Sequence, residues 1–302
     1  MSVCDKPIAI CGAESTLGKE VVKKLRASSV EIRTITNIDL RIPPPVLAKK
    51  LSSTKAVINL YGEPYVAKWK GRYEFDIYKS RLEALRAIGV ALRYCEEQPE
   101  VFLTLSNAMV YDQFEVHDEY SIDYGDSFMT EVGRMETDEA IKIERQSFSG
   151  RIAIARSGYI MSHEGGAYPL LSKLARIGWG GRVDDGYQCL PMIHADDAVN
   201  AIFYIVNNPE AKGIFNLTIP NMASMNEMID AFESVLGKNQ HRMPKFLIKF
   251  LAGRALCLLQ QICKAIPRRL TEAGFVFKFK SVSEIVANLH SGIVPLTDAP
   301  ED

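Results

Sequence analysis

Two glycines near the amino end, and the polar residues between them, are the part of this sequence best suited to binding an anion. Gly12 follows the short apolar run 8–11, and Gly18 precedes a helical pattern that continues to Leu25. A buried strand, a turn and an amphipathic helix in this order place the unpaired N–H groups of the helix N-terminus where a pyrophosphate can bind. The stretch therefore predicts a phosphate-binding corner, and an ordinary strand–turn–helix corner that binds nothing is the alternative.

The glycine pattern of such corners is incomplete here. The spacing Gly-x-x-Gly-x-x-Gly would place a glycine at position 15, where this chain has Ser15. The Cβ of Ser15 stands where the backbone should approach the phosphates, whereas its hydroxyl can donate a hydrogen bond. Ala13 is small enough for a close turn.

A second predicted strand, 31–36, ends at the position that selects the cofactor in dinucleotide-binding units. An acidic residue there accepts hydrogen bonds from the ribose hydroxyls of NAD, and an arginine binds the 2′-phosphate of NADP. Asn37 does neither clearly. Arg33, Asp39 and Arg41 are nearby substitutes of both signs, so the choice of cofactor stays open.

The third predicted strand, 56–60, runs into Tyr61 and Gly62. A glycine just past the carboxyl end of a strand lies at the edge where open α/β sheets bind ligands. A plain turn explains the same glycine equally well.

Several side chains that can transfer protons are expected near this edge of the sheet. They are Glu63, Lys79, Ser106, Tyr111 and His194. None forms a recognised motif, and most have a structural explanation: Tyr111 as an aromatic at the rim of the core, His194 as a hydrogen-bonded loop residue, and Glu63 and Lys79 as solvated charges. The run 79–81 is interpreted as a solvated helix face, and the loop 178–181 either flexes over a ligand or only turns.

The elements that must position these residues alternate between strand and helix. Apolar runs at 101–105 and 151–156 predict two further strands, and helical patterns at 46–51, at 69–93 and from 126 connect them. This alternation predicts an α/β fold with a doubly wound parallel sheet. The prolines 43–45 predict a stiff loop, and the alternation of Phe and Lys over 275–280 predicts a half-buried strand.

The composition is that of a globular protein of 302 residues, with 47% hydrophobic and 24% charged residues and a net charge of -1. Dispersed Lys and Arg residues argue against a nucleic-acid surface, and no apolar run approaches the ~18 residues that span a membrane. The most apolar helical stretch is 246–263. The six cysteines show no paired spacing, which favours reduced thiols over a disulfide framework or a metal site. The amino end carries no signal-peptide pattern.

A set of short motifs occurs in one order along the chain. They are GAESTLG at 12–18, VINLYGEP at 57–64, SR at 80–81, SNAMVY at 106–111, RSGYI at 156–160, GGA at 165–167, GWGGRVDDGYQ at 178–188, MIHADDAVNAI at 192–202, MPKFLIKFLAGRA at 243–255 and IPRRLTEAGFVFKF at 266–279. Each motif is weak alone, but the ordered set resembles the extended or atypical short-chain dehydrogenase/reductases, in the branch called epimerase family protein. The resemblance covers about residues 7–290.

The resemblance implies a Rossmann-type fold that binds NADP, with NAD left open, and a smaller, mostly helical region on the substrate side. The cofactor residues that it implies are Gly12, Ser15, Thr16, Leu17, Gly18, Asn37, Leu60 and Gly62. The family commonly has arginine at the Asn37 position. The implied division is a cofactor-binding domain over 1–219 with a substrate-side insertion at about 163–192, a C-terminal domain over 220–290 and a flexible tail over 291–302. The motif HADD at 194–197 is expected to give an N-cap, from Asp196 or Asp197, to a helix over 198–206, in preference to a catalytic His–Asp pair.

The catalytic residues of this superfamily are missing at their usual places. Redox chemistry there uses a Tyr as acid or base, a Lys one helical turn later and a Ser that binds the substrate oxygen. Phe128 and Val132 stand at the Tyr and Lys positions, and the Ser position falls on Asn107, with Ser106 one residue earlier. Ser106, Tyr111 and His194 are therefore weak candidates for catalysis.

Two functions from different classes follow. The first is an NADP(H)-binding oxidoreductase or epimerase-like enzyme with unusual acid–base residues, and the second is a dinucleotide-binding sensor or scaffold without turnover. A third possibility is a pure interaction platform that binds no cofactor. We further expect a cytoplasmic location, with mitochondria left open, a possible homodimer, and no nucleic-acid, membrane or metal partner.

Overall fold

The computed structural model of the protein describes residues 6–146, 148–178, 186–241 and 262–292. The strands are β1 (Ile8–Cys11), β2 (Ile32–Ile35), β3 (Ala56–Asn59), β4 (Val101–Asn107), β5 (Val116–His117), β6 (Arg151–Ser157), β7 (Tyr159–Ser162), β8 (Gly165–Gly166), β9 (Met192–His194), β10 (Gly213–Leu217) and β11 (Lys264–Ala265). The helices are α1 (Thr16–Ala27), α2 (Pro44–Leu51), α3 (Tyr73–Leu92), α4 (Phe128–Arg145), α5 (Tyr168–Arg176), α6 (Ala195–Asn207), α7 (Met225–Leu236), α8 (Arg268–Glu272) and α9 (Val282–Ser291), with a 3₁₀ turn at Asp39–Arg41.

A six-stranded sheet in the order β2-β1-β3-β4-β6-β10 forms the centre of the protein, and all of its neighbouring strands are parallel. The chain leaves β1 toward one edge of the sheet, through β2, and later leaves β3 toward the other edge, through β4. The crevice between the carboxyl ends of β1 and β3 is therefore the topological switch point, where sheets of this kind bind ligands.

Helices cover both faces of this sheet because successive strand residues point to opposite sides. On one face, Ala9 and Val57 pack in a core with residues of α2, α3 and α4. On the other face, Ile10 and Ile58 pack with residues of α1 and α6. This arrangement confirms the predicted doubly wound, Rossmann-type α/β fold.

Two small sheets lie outside the central one. Strands β8, β7 and β9 form a three-stranded sheet, and β5 pairs with β11 in parallel. Helix α7 packs against α5 and α9, so the last described helix joins the same layer. The predicted boundary between residues 219 and 220 stays a prediction.

Three local predictions were wrong. Helix α1 begins at Thr16 rather than at Gly18, and Pro44 begins α2 rather than lying in a loop, because proline fits the first turn of a helix. Residues 275–280 do not form a strand, since the backbone N–H groups of Lys278 and Phe279 donate to a carboxylate instead of a neighbouring strand.

Some predictions fall outside the described residues: nearly all of the apolar stretch 246–263, the motif at 243–255, most of the loop 178–181 and most of the tail 291–302. Within the described ranges, no helix is both long and apolar enough to cross a membrane. The same ranges contain no group of three or more His, Cys, Asp or Glu side chains arranged to hold a metal ion.

Candidate functional site

The corner between β1 and α1 is built by very close backbone contacts. A Cβ atom on Gly12 would lie 2.6 Å from the carbonyl carbon and oxygen of Leu60, and Gly12 has a φ of +82°. A Cβ atom on Gly18 would lie 2.1 Å from the carbonyl oxygen of Gly12. Both positions therefore require glycine, because the atoms that a side chain would meet belong to the backbone and cannot rotate away.

Ser15 begins the helix instead of filling the corner. Its backbone is extended, and its Oγ accepts a hydrogen bond of 3.0 Å from the backbone N–H of Gly18, which makes it a regular N-cap. The Ser15 carbonyl accepts from the N–H of Lys19 at 2.9 Å. The cap leaves the N–H groups of Thr16 and Leu17 out of these bonds, so they are the donors that the first turn offers.

The turn at β8 packs on the first residue of α1. A Cβ atom on Gly165 would lie 2.4 Å from the Thr16 Oγ1 and 3.1 Å from its Cγ2. Gly166 has a φ of +71°, and a Cβ atom there would lie 2.0 Å from the Ile160 carbonyl oxygen. The motif GGA at 165–167 therefore brings the small β7–β8 hairpin against the corner.

The residues after β2 differ in their exposure and in the hydrogen bonds that they make. Asn37 is exposed, whereas Asp39 accepts from the N–H and hydroxyl of Thr36, both at 2.8 Å, and from the Lys50 Nζ at 2.6 Å. Although burial acts to raise the pKa of Asp39, its bonds with Lys50 and Thr36 hold that pKa below its usual range. Asp39 is therefore already engaged by other residues.

The two arginines near Asn37 also differ: Arg33 is bound by other residues that the structure describes, whereas Arg41 is not. An Nη1 of Arg33 donates to the Ser52 carbonyl at 2.7 Å, and its Nε lies 3.2 Å from a Glu31 carboxylate oxygen. Arg41 is exposed and makes no ion pair with any residue that the structure describes. Burial raises the pKa of Tyr61 while the Arg41 charge acts to lower it, so Arg41 lies on the same side as the carboxyl end of β3.

Gly62 leaves room for a buried arginine. A Cβ atom on Gly62 would lie 2.7 Å from the central guanidinium carbon of Arg81. Arg81 is only 9% exposed, and its Nε lies 3.2 Å from a carboxylate oxygen of Glu136 on α4. The interpretation of 79–81 as a solvated face was therefore wrong for Arg81, because this side chain points inward between α3 and α4.

Four buried side chains and the half-buried Tyr65 meet around this ion pair, and we call these five the polar centre. They are Tyr65, Arg81, Ser106, Asn107 and Glu136. The Tyr65 side chain faces Asn107 and Arg81, and Glu136 faces Ser106. Four of its polar atoms, the Tyr65 hydroxyl, Ser106 Oγ, Asn107 Oδ1 and Glu136 Oε2, are inaccessible to solvent and have no well-formed hydrogen bond. Such atoms are uncommon in native proteins, and each calls for a physical explanation.

In the polar centre, burial and the neighbouring positive charges shift the pKa values of the acidic groups in opposite directions. Burial raises the pKa of Glu136 to about 7, although the positive charge of Arg81, the Ser106 hydroxyl and the charge of Arg156 act to lower it. Burial likewise raises the pKa of the Tyr65 hydroxyl far above its usual range. Glu136 therefore changes its charge near neutral pH, whereas Tyr65 stays a neutral phenol.

The Tyr111 hydroxyl is engaged in a different network. It donates to the Asn216 Oδ1 at 3.0 Å and accepts from an Arg156 Nη1 at 2.9 Å. Arg156 is fully buried, and its other Nη lies 3.3 Å from the Tyr124 hydroxyl and from the Thr137 Oγ1. Burial raises the pKa of Tyr111 to about 12. The structure thus places Tyr111 among structural contacts rather than with its hydroxyl unpaired.

His194 lies on β9, in the small three-stranded sheet, and not beside Ser106 on β4. Its Nδ1 accepts from the Asp196 N–H at 3.0 Å, so His194 itself is the N-cap of α6, and the predicted Asp cap was wrong. Asp197 instead accepts from the N–H groups of Lys278 and Phe279, both at 2.9 Å. The HADD motif therefore fastens the segment before α9 to the start of α6. Burial lowers the pKa of His194.

The two remaining candidates are Lys79, on the solvent side of α3, and Glu63, in the loop after β3. The Lys79 Nζ is 3.6 Å from a Glu83 carboxylate oxygen on the solvent side of α3, as the solvated-charge interpretation predicts. The backbone N–H of Glu63 donates to the Ser80 Oγ at 3.0 Å, which fixes the start of the loop after β3.

Comparisons with known proteins give a consistent result. No family model matches the chain. The chain is 28% identical over 297 residues to the chloroplastic epimerase family protein SDR39U1 homolog of Arabidopsis thaliana, and this covers 92% of the chain and 84% of the relative. It is 25% identical to an epimerase family protein of Staphylococcus haemolyticus, covering 92% and 96%.

Solved structures agree on the architecture. Human epimerase family protein SDR39U1, solved with NADPH, superposes with a TM-score of 0.82 at 23% identity, covering 95% of this chain and 100% of that one. A UDP-glucuronic acid 4-epimerase from Bacillus cereus, solved with UDP-glucuronic acid and NAD, superposes with a TM-score of 0.75 at 13% identity, covering 94% and 98%.

The chain is therefore similar over nearly its whole length to proteins named epimerase family protein, and its fold is that of the human one. This confirms the resemblance inferred from the ordered motifs.

Helix α4 carries Phe128 and Val132 at the two positions that the resemblance aligns with the catalytic Tyr and Lys. Phe128 lies in the first turn, where its ring meets the edge of Trp69 at a centroid distance of 5.6 Å, and Val132 is fully buried. The Asn107 Nδ2 donates to the Met129 carbonyl at 3.1 Å, so the amide at the Ser position is tied to α4.

Sequence reasoning missed Tyr65, Glu136 and Arg156 and misjudged Arg81. A signal for Arg81 was present, because SR at 80–81 was one of the family motifs. Glu136 carried a weaker signal: it lies one turn beyond Val132 on the inner face of α4, where a charge needs a buried partner. Tyr65 carried none, since it lies in a loop without periodicity.

Proposed function

We propose that this protein binds NADP(H) in the crevice between β1 and β3 and acts as an oxidoreductase or epimerase-like enzyme without the usual Tyr–Lys pair. The observation that carries this proposal is the glycine-lined corner at the switch point, where Ser15 caps α1 and the next two N–H groups stay out of the cap. Related proteins solved with NADPH and with NAD support it.

The residues of the corner fit a dinucleotide. The N–H groups of Thr16 and Leu17 at the positive end of the helix dipole suit a diphosphate, and Gly12 and Gly18 allow the backbone to approach it. Ser15 holds the helix start in place, and Leu60 and Gly62 would border the nicotinamide side of the crevice. When bound, the cofactor would supply or accept a hydride.

The loop after β2 favours NADP(H) over NAD(H). Asp39, the acidic residue nearest to Asn37, is already bound by Lys50 and Thr36 and so cannot readily accept from ribose hydroxyls. Arg41 is exposed and has no ion-pair partner among the described residues, and Asn37 can donate a hydrogen bond. A 2′-phosphate matches an exposed guanidinium and an amide better than a free ribose hydroxyl does.

Titration of the purified protein with NADPH and NADH, followed by fluorescence or calorimetry, tests the proposal. We expect NADPH to bind more tightly, and we expect Arg41→Ala to weaken NADPH about tenfold, the effect of roughly 1.5 kcal/mol for one hydrogen bond between charged groups, while leaving NADH unchanged. Arg33→Ala is the matched control, because its guanidinium is bound to Ser52. Absence of binding at millimolar cofactor would contradict the proposal.

A sensor or scaffold without turnover is the second candidate. Phe128 and Val132 favour it, because neither can transfer a proton. Incubation of the NADPH complex with panels of carbonyl compounds and sugar nucleotides separates the two functions, since only an enzyme oxidises the bound cofactor. Homodimer formation and a cytoplasmic location stay predictions from the sequence.

A further inference from the structure

Arg81, on the inner side of α3, packs against the loop that follows β3. A Cβ atom on Gly62 would lie 2.7 Å from the Arg81 Cζ and 2.8 Å from its Cγ and Nη1. The Arg81 Cζ also lies 4.0 Å from the centroid of the Tyr65 ring. One buried guanidinium group therefore supports two residues of the loop that would border the cofactor.

This guanidinium group is held in place on its other sides. The Arg81 Nε lies 3.2 Å from a Glu136 carboxylate oxygen, and its Nη1 donates to the Ile77 carbonyl at 3.2 Å. Arg81 and Glu136 are both buried, so neither side chain can turn into solvent to make room. Because a planar guanidinium with several fixed partners keeps one orientation, Arg81 presents a rigid surface to Gly62.

The residue before Arg81 holds the same loop. The Ser80 Oγ accepts from the backbone N–H of Glu63 at 3.0 Å and lies 3.1 Å from the Ile77 carbonyl, to which it donates. The motif SR at 80–81 therefore fastens the loop through both of its residues, one by a hydrogen bond to the backbone and one by packing.

The start of the loop forms one wall of the corner. The Leu60 N–H donates to the Cys11 carbonyl at 2.8 Å, and the Leu60 carbonyl is the group that a Cβ atom on Gly12 would meet at 2.6 Å. Only one residue separates Leu60 from Gly62. The segment 60–62 is thus fixed by the corner on one side and by Arg81 on the other, and its position between them determines the width of the crevice there.

We propose that Arg81 is a positioning residue of the cofactor site, whose guanidinium, held by Glu136, fixes Gly62 and the loop after β3 at the distance from the corner that a dinucleotide requires. This inference rests on the proposed cofactor binding. It also explains the glycine at position 62, because Arg81 occupies the space that a side chain would need. Arg81 acts through the loop and does not itself touch the cofactor.

A conservative substitution tests this role. Arg81→Lys keeps the positive charge beside Glu136 but removes the planar group that supports Gly62. We expect NADPH to bind about tenfold more weakly, because a flexible ammonium leaves the loop without one fixed position. A protein that loses thermal stability but binds NADPH with wild-type affinity, measured well below its unfolding temperature, would overturn the proposal.

Arg86→Lys is the matched control. Arg86 also joins α3 to α4, with an Nη2 3.3 Å from a Glu139 carboxylate oxygen, but it is exposed and lies more than one helical turn further along α3. We expect Arg86→Lys to leave NADPH affinity unchanged. An equal loss of affinity in the two variants would show that any α3–α4 pair has this effect, and would overturn the specific role of Arg81.

A double-mutant cycle tests whether Gly62 and Arg81 act together. In the wild-type background, Gly62→Ala should weaken NADPH about 30-fold, because the methyl group meets the fixed guanidinium. The second background combines Arg81→Ala with Glu136→Gln, so that no buried charge is left unpaired. There the methyl group fills vacated space, and Gly62→Ala should change the affinity less than about threefold. An equal loss in both backgrounds would mean that the methyl group meets the cofactor itself, and would overturn the proposal.

Hydrogen exchange of the cofactor-free proteins separates failure of this inference from failure of the proposed function. The hydrogen-bonded N–H groups of Tyr61 and Glu63 should exchange about tenfold faster in Arg81→Lys, and at the wild-type rate in Arg86→Lys. If the wild type bound no NADPH, the proposed function would fall, whereas exchange would still show whether Arg81 holds the loop. If NADPH bound equally well to the wild type and to Arg81→Lys, only the present inference would fall.

Discussion

The corner at β1–α1 and the polar centre between α3, β4 and α4 lie at the same edge of the sheet, but they are built in different ways. The corner is made by one short segment, 12–18, and its donors are backbone N–H groups. The polar centre is made by side chains from four separate elements, and it contains an ion pair and unpaired polar atoms.

This difference shows which substitutions each region tolerates. The corner accepts Ser15 because the serine hydroxyl turns back to cap α1, and the backbone donors are unchanged. In the polar centre every function depends on side-chain identity. Neither Phe128 nor Val132 can transfer a proton, so acid–base chemistry in this region would depend on other side chains.

The largest effect is expected at Gly18. In Gly18→Ala the new methyl group would meet the Gly12 carbonyl oxygen, which cannot move without opening the turn. We expect NADPH binding to weaken about 100-fold, the effect of roughly 3 kcal/mol of overpacking. Calorimetric titration measures it, with Gly237→Ala as the control: its φ of +59° strains an alanine and costs some stability, but a Cβ atom there meets nothing within 4 Å, so NADPH affinity should not change. Unchanged affinity in Gly18→Ala would mean that the corner does not depend on backbone approach.

The second effect concerns the charge of Glu136. Its pKa in the folded protein, raised to about 7, exceeds the ordinary 4.5, so the folded state binds the proton more tightly than the unfolded state does. The free energy of unfolding contributed by this group should therefore fall by about 3 kcal/mol as the pH rises from about 4.5 to 7. Urea unfolding across this range should show the fall in the wild type relative to Glu136→Gln.

Glu139→Gln is the matched control for Glu136, one turn further along α4. Although burial acts to raise the pKa of Glu139, its bonds with Lys142 and Arg86 hold that pKa below its usual range. Its contribution to stability is therefore present above about pH 4.5 and is lost only at lower pH. Equal pH dependence in the two variants would refute the assignment of the effect to Glu136.

A smaller effect is expected at the start of α6, where the Asp197 carboxylate binds the segment before α9. Asp197→Ala leaves the N–H groups of Lys278 and Phe279 without their acceptor and should cost about 1–3 kcal/mol of unfolding free energy. Asp196→Ala breaks only an exposed pair with the Lys278 Nζ and should cost less than about 1 kcal/mol. Chemical denaturation measures both, and NADPH affinity should change in neither.

The smallest effect is expected for Ser15→Gly, which restores the usual glycine pattern. Glycine at an N-cap costs only a few tenths of a kcal/mol, so stability should hardly change and NADPH affinity should stay within about threefold. Ser127→Gly, at the equivalent N-cap of α4, gives the same change away from the corner. A large loss of affinity in Ser15→Gly alone would show that the Ser15 hydroxyl contacts the cofactor.

The helices and strands of the central sheet could be predicted from the sequence because their signals are local. Apolar runs of strand length and helical spacing report burial on a sheet or on a helix face, and these do not depend on distant residues. Gly12 and Gly18 were informative for the same reason: a turn of seven residues determines which positions need glycine. The predicted strand at 275–280 failed because distant Asp197 takes the N–H groups that a strand partner would bind.

The sequence by itself determined the doubly wound sheet, the glycine positions of the corner between β1 and α1, and the presence of Phe128 and Val132 on α4. Only the tertiary structure decided that Arg81 is buried against Glu136, that His194 rather than an aspartate caps α6, and that Tyr65 meets Asn107. The physical reason is distance along the chain. Periodicity and turn geometry act over a few neighbouring residues, whereas the energy of a buried charge or hydroxyl depends on partners that only the folded chain brings into contact.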